Sequence, residues 1–149
     1  MDAAAILAFL NGGAPEMLTV FADGVIVSEV TLKTLEWNLV RAGVKRLEVI
    51  RDLSRLGLED VTFSERQLSD LNAVLALQPG LDFEVAVAAG LARATGSKLI
   101  SGHAAWHGIH LPNLELQLVG SARMAVTLTP APHPVIAVTP GVVSGEPSA

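Results

Sequence analysis

A histidine stands at the end of an apolar run in the middle of the chain. Residues 96–108 read GSKLISGHAAWHG, in which residues 98–101 predict a short buried strand and His103 follows it. In parallel α/β sheets, functional side chains collect at the carboxyl ends of the strands. An imidazole at such a position could bind a metal ion or transfer protons.

The neighbouring residues leave these chemistries open. His103, His107 and His110 suggest a zinc site, but they lie on a presumed loop with only Asp82 as a candidate acid, so hydrogen-bonded or surface histidines are the preferred interpretation. Ser101 has no base partner in a triad-like order. Asp82 is interpreted mainly as a helix cap, with a role in a site as the alternative.

Charge and composition narrow the classes of function. Half of the 149 residues are apolar and 17% are charged, which favours self-association or a protein partner. Residues 33–55 carry six bases and three acids, a net charge of +3, which leaves −8 for the rest of a chain whose total is −5. A solvated helix face is the preferred interpretation of this segment, and RNA contact by Arg41, Lys45 and Arg46 is the alternative.

Several classes of site and location are disfavoured. The chain has no cysteine, which excludes disulfides and thiolate metal sites. It shows no signal-peptide pattern and no apolar run of about 18 residues, so we expect a cytoplasmic protein without a membrane span.

Stop signals and apolar spacing predict alternating helices and strands. The predicted helices cover residues 3–10, 16–22, 31–42, 44–56, 64–77 and 83–95, with Thr31 as the predicted cap of the third. The predicted strands cover residues 25–27, 61–63, 98–101 and 114–119. Strands separated by helices predict a parallel sheet with helices on both faces, a three-layer α/β/α fold of flavodoxin-like order.

The composition changes near residue 120. Five of the eight prolines follow it, at positions 130, 132, 134, 140 and 147. We therefore expect a domain over residues 1–119 and an extended proline-rich tail over 120–149, with the final ten residues disordered.

The order of these elements and their local sequences resemble the PIN domain, especially the VapC-like toxins of bacterial toxin–antitoxin pairs. The resemblance covers residues 2–119. It rests on DAAAILA at 2–8, VIVSEVTL at 25–32, the Ala-rich segment 81–96, and LISGH at 99–103, which is similar to a strand ending in Thr-x-Asp.

The resemblance implies a ribonuclease in which carboxylates hold Mg²⁺ or Mn²⁺ and activate water. The family's first acid matches Asp2, whereas the other three fall on Thr34, Val85 and His103. Glu36 lies about 200° from Thr34 around a helix, and Glu84 lies about 100° from Val85, so neither replaces the missing acid without a register change. Asp82, three residues before Val85, lies on the same face of this helix as Val85.

The family's first strand also has no counterpart, because only Met1 precedes Asp2. Either the true start is further upstream, or another segment fills the slot; residues 123–129, residues 134–139 and a partner chain are the candidates.

These matches predict a PIN-like protein of the toxin–antitoxin type with a degenerate metal site, acting as a binding or regulatory module. The alternative is an active Mg²⁺- or Mn²⁺-dependent endoribonuclease whose atypical site uses Asp2, Asp82 and His103, with Asp2 and Asp82 as metal ligands. A homodimer or higher oligomer, an antitoxin-like protein and RNA are the expected partners.

Overall fold

The structure, a computed structural model, describes residues 1–123. The helices of this part are α1 (Ala3–Leu10), α2 (Met17–Ala22), α3 (Glu29–Arg41), α4 (Arg46–Arg55), α5 (Glu65–Leu77) and α6 (Phe83–Thr95), with a 3₁₀ helix at Ala104–Trp106. The strands are β1 (Val25–Ser28), β2 (Leu58–Val61), β3 (Leu99–Ser101) and β4 (Leu116–Leu118). The predictions for residues 124–149, including the tail and its candidate strands, lie outside the described residues.

The described strands form two small parallel sheets. β1 pairs with β2, with Val25 opposite Leu58, and β3 pairs with β4, with Leu99 opposite Leu116. The predicted mixed α/β fold with parallel strands is therefore confirmed. The single sheet is not: β1 and β3 belong to separate two-stranded sheets.

Met1 and Asp2 lie between the two sheets. The Met1 nitrogen donates to the Ile26 carbonyl over 3.3 Å, and the Asp2 N–H donates to the Ile100 carbonyl over 3.1 Å. Within residues 1–123, the dipeptide Met1-Asp2 thus links the backbones of the two sheets, and α1 begins directly after it at Ala3.

The sequence signals predict some helix boundaries and miss one. α1 and α6 have the predicted bounds, and α6 ends at Gly96, whose φ of 64° is the left-handed conformation that glycine adopts readily. The prediction that Thr31 caps α3 is wrong. Ser28 is the cap, and its hydroxyl accepts the Val30 N–H over 3.2 Å. A hydroxyl on the preceding strand therefore begins the helix three residues earlier.

The core of the described chain consists of two clusters, and β3 contributes to both, through Leu99 and Ile100. One cluster packs α5, α6 and β3 around Trp106, which is 3% exposed and therefore serves as a packing anchor. The other packs α1, β1 and α3 around Ile6 and Leu35. At Gly90 an added Cβ would lie 3.0 Å from the Asp70 backbone, so α5 and α6 pack closely there. No helix within residues 1–123 has the length and apolar character needed to cross a membrane.

Candidate functional site

Buried polar side chains gather where β1 and β3 end. The buried polar residues of the described chain are Asp2, Ser28, Thr31, Gln67 and Ser101. Ser28 and Ser101 are the last residues of their strands, and the others come from the starts of α1, α3 and α5. The carboxyl ends of parallel strands are where α/β folds place ligand sites. We call these five residues, together with Glu84, the polar cluster.

Asp2 is the most enclosed carboxylate of the polar cluster, at 0% exposure. One oxygen, Oδ1, accepts the Ala5 N–H over 2.9 Å and the Gly102 N–H over 3.2 Å. The other, Oδ2, accepts the Ser101 hydroxyl. Asp2 therefore caps α1 and ties its first turn to the end of β3.

Close backbone packing seals Asp2 from one side. A Cβ added to Gly102 would lie 2.6 Å from the carbonyl carbon and oxygen of Ala4. Only glycine allows α1 to approach the strand end this closely. The same approach leaves the Gly102 N–H pointing at Asp2.

Glu84 is the second carboxylate of the polar cluster. Its Oε1 accepts the Ala3 N–H over 3.0 Å and the Thr31 hydroxyl over 2.7 Å. Burial raises the pKa of Glu84; the Thr31 hydrogen bond opposes the rise and the charge of Asp2 adds to it. Glu84 joins the starts of α1, α3 and α6.

Glu84, and not its neighbour Val85, belongs to the polar cluster. Val85, the match to the family's third acid, is 1% exposed and packs in the core, whereas Glu84 faces Asp2. α6 is buried on almost all sides, so a periodic apolar face does not define its orientation. The signal available in the sequence was Glu84 itself, a charged residue beside a nearly continuous apolar run, which indicates a buried carboxylate with a partner.

His103 and Asp82 form a pair at the rim of the polar cluster. His103 Nε2 lies 3.4 Å from Asp82 Oδ2, and their side chains are 36% and 74% exposed. His103 Nδ1 accepts the Ala105 N–H and caps the 3₁₀ helix. Asp82 occupies the N-cap position of α6 without a side-chain cap bond, so its carboxylate contacts His103 instead.

Asp2 connects to His103 only through Ser101. The Ser101 hydroxyl donates to Asp2 and accepts the His103 N–H over 3.1 Å. The structure thus brings Asp82 and His103 side chains together, and places Asp2 behind the strand end that carries His103. His107 and His110 line a separate cavity of about 370 Å³ beside Trp106.

The polar cluster offers two carboxylates, Asp2 and Glu84, whereas a hard divalent cation takes about six oxygen ligands. Both Asp2 oxygens and Glu84 Oε1 accept hydrogen bonds from the protein, for which a cation would have to compete. Within residues 1–123, no three His, Asp or Glu side chains group at metal-binding distance. One amide donor of the cluster, Gln67 Nε2, is buried without a partner.

The predicted basic contacts lie on the α3–α4 hairpin, away from the polar cluster. Arg41 and Lys45 are exposed. Arg46 Nε donates to Glu36 Oε1 over 2.7 Å, which joins the two helices. Glu36 is therefore a surface ion-pair partner.

Comparison with known proteins supports the fold. No protein-family model matches the chain, and no curated protein matches it. The fold is similar to a chain in the crystal structure of VapBC2 from Rickettsia felis bound to a DNA fragment from their promoter. The TM-score is 0.54 at 19% identity, and the match covers 70% of this chain and 83% of that chain. This likeness shows that the chain shares the fold of a chain in that toxin–antitoxin structure.

Proposed function

We propose that this chain is a PIN-like protein of the toxin–antitoxin type that works as a binding or regulatory module and not as a metal-dependent nuclease. The observation that carries the proposal is the state of Asp2. Its carboxylate is fully buried and accepts hydrogen bonds from Ala5, Gly102 and Ser101. These donors engage both carboxylate oxygens, so a cation would compete with them for Asp2, at a cost of several kcal/mol for the hydrogen bonds it displaces.

The partner proposed for the module is an antitoxin-like protein. The similar structure is described as VapBC2 bound to promoter DNA, which supports a toxin–antitoxin setting. We further propose a cytoplasmic protein that forms a homodimer or higher oligomer, with a PIN-like three-layer arrangement once the two sheets are joined.

The α3–α4 hairpin is the proposed partner surface. Trp37 and Leu47 are 63% and 82% exposed, and Val40 and Ile50 beside them are also exposed. Aromatic and aliphatic side chains exposed together mark interaction surfaces. The net charge of +3 on residues 33–55 favours an acidic protein partner over a second positively charged hairpin.

RNA cleavage tests the proposal. The purified full chain, incubated with single-stranded RNA and millimolar Mg²⁺ or Mn²⁺, is expected to leave the RNA intact. A cleavage activity that is abolished in Asp2→Asn and retained in the surface variant Glu36→Gln would refute the proposal that the chain is a binding or regulatory module.

An atypical endoribonuclease is the second candidate, favoured by two observations. Glu84 supplies a second carboxylate near Asp2, and the Asp82–His103 pair offers an exposed acid and a potential base at the rim. In this candidate Asp2 and Asp82 bind the metal and His103 assists. Calorimetry would then show Mn²⁺ binding that Asp82→Ala removes; heats equal to buffer dilution at millimolar Mn²⁺ would contradict it.

RNA contact by Arg41, Lys45 and Arg46 is a separate proposal within this candidate. Replacing all three by alanine is expected to weaken binding to single-stranded RNA and to flatten its dependence on salt, because each phosphate contact releases counterions. The same weakening at every salt concentration would indicate a loss unrelated to charge.

A further inference from the structure

A groove of about 380 Å³ lies between β1 and β3, on the far side of Met1 from the polar cluster. Val25 and Ile26 form one wall, Ile100 forms the other, and Met1 closes one end. The floor is α6, whose lining side chains Ala88 and Ala92 are small and buried. The groove therefore continues the line of Met1 and Asp2.

Backbone groups of both walls point toward the path that Met1 and Asp2 follow between the two sheets. The Ile26 carbonyl accepts the Met1 nitrogen, and the Ile100 carbonyl accepts the Asp2 N–H. In a parallel ladder, the N–H and the carbonyl of one residue point to the same side. The N–H groups of Ile26 and Ile100 therefore also face the space between the sheets, where buried amides need acceptors.

The width of the groove is that of one strand. Met1 and Asp2 bond to both walls at once, so the strands on either side are spaced for a single chain between them. An extended segment in the groove would continue both ladders and join the two sheets into one. An apolar, narrow side chain would suit the alanine floor.

We propose that the groove is a strand-acceptor site and that its occupant is residues 135–139 of the same chain, VIAVT. This segment lies outside the described residues. Its β-branched and small apolar residues suit a strand that is buried on both faces. Pro134 and Pro140 delimit it, as prolines do at strand ends.

Chain length decides between this run and the one at residues 124–129. A parallel connection needs about a dozen residues or more. β4 ends at Leu118, so residues 119–134 are available before the second run, whereas only 119–123 precede the first. Residues 124–134 alone reach about 36 Å when extended. The tether also keeps the segment at a high effective concentration near the groove.

Disulfide trapping in the full chain tests the site, because the natural sequence has no cysteine. Ala92→Cys places a thiol on the groove floor, and a second cysteine is introduced singly at each position from 135 to 139. After oxidation by oxidised glutathione, cross-links are expected at alternate positions only, since successive side chains of a strand point to opposite faces. Ala137→Cys and the matched Ala125→Cys are the paired comparison.

The outcomes separate the candidate occupants. Intramolecular cross-links at alternate positions, with none at Ala125→Cys, support the proposal. Equal cross-linking at every position, or at none, overturns it. Cross-links that appear between two molecules and vanish on dilution would assign the groove to a second copy.

Amide hydrogen exchange tests the strand-acceptor proposal without cysteine variants. The amides of Ile26 and Ile100 are expected to exchange at least tenfold faster in Ile136→Pro than in the natural chain, because proline disrupts the inserted strand. Leu128→Pro, in the other run, serves as the control and should leave both rates unchanged. Unchanged rates in Ile136→Pro would overturn the proposal.

Discussion

The space between β1 and β3 has two ends with opposite character. At the carboxyl end, Asp2 is held by three donors and Gly102 admits the backbone of Ala4. At the amino end, the same two strands enclose an open groove of about 380 Å³. The end where α/β folds usually bind ligands is filled by the chain itself, and the opposite end is empty within residues 1–123.

This contrast shows that carboxylates at a strand end need not form a metal site. Asp2 and Glu84 connect α1 to β3, α3 and α6, so their oxygens serve as structural contacts between these elements. Burial of these carboxylates is tolerated because both Asp2 oxygens and Glu84 Oε1 accept hydrogen bonds.

Asp2→Ala gives the largest expected effect. It removes the cap of α1 and leaves the Ser101 hydroxyl and the Gly102 N–H without their acceptor, so we expect a loss of about 3 kcal/mol in the free energy of unfolding. Urea unfolding followed by circular dichroism measures it. Asp82→Ala, at the exposed rim, should change stability by no more than about 0.5 kcal/mol. Equal losses would remove the distinction between the two aspartates.

Gly102→Ala is expected to rank second. The new Cβ would meet the Ala4 backbone at 2.6 Å and force α1 away from β3, at a cost of about 1–3 kcal/mol. Gly80→Ala is the matched control, because nothing lies within 4 Å of its added Cβ. Thermal unfolding of both variants should show a lower Tm for Gly102→Ala alone.

Glu84 predicts a pH dependence of stability. Its pKa is raised above the usual 4.5 by burial, so the folded chain holds this proton more tightly than the unfolded chain. The resulting stabilisation is complete below pH 4.5 and is lost as the pH rises through the folded pKa. Glu84→Gln keeps an acceptor for Thr31 and should remove this part of the pH profile. An identical profile in the variant would show that other groups cause it.

Arg46→Ala is expected to give the smallest change in the free energy of unfolding. It compares the contribution of a surface charge with that of the buried carboxylates. Arg46 is 70% exposed, and exposed ion pairs contribute about 0–1 kcal/mol. The loss should shrink further in 1 M salt, whereas the effect of Asp2→Ala should persist, because buried interactions are screened less. Urea unfolding at two salt concentrations compares them.

Local patterns predicted the parts of the fold that local chemistry determines. The bounds of α1 and α6 follow from Asn11-Gly12 and Gly96, which end helices through their own backbone preferences. The cap of α3 was misassigned because Ser28 and Thr31 both satisfy the capping pattern, and only the strand preceding α3 decides between them.

Tertiary contacts determine what could not be predicted. Glu84 and Val85 differ by one position on a helix that is buried on nearly every side, and only its packing against Thr31 and Ala3 sets which one meets Asp2. The division of the sheet was also beyond local patterns, since the separation of β1 from β3 depends on what lies between them. Fold analogy therefore pointed to the strand ends, whereas the interaction of Glu84 with Asp2 could be found only from the tertiary contacts.

Paramagnetic broadening by Mn²⁺ tests most directly whether the Asp2 carboxylate is a structural tie. In amide spectra of the ¹⁵N-labelled full chain, we predict that Ala5 and Gly102, which donate to Asp2, keep their intensity in millimolar Mn²⁺. Selective loss of these two signals at micromolar Mn²⁺, reversed by Asp2→Asn, would show a cation bound to that carboxylate and contradict the account.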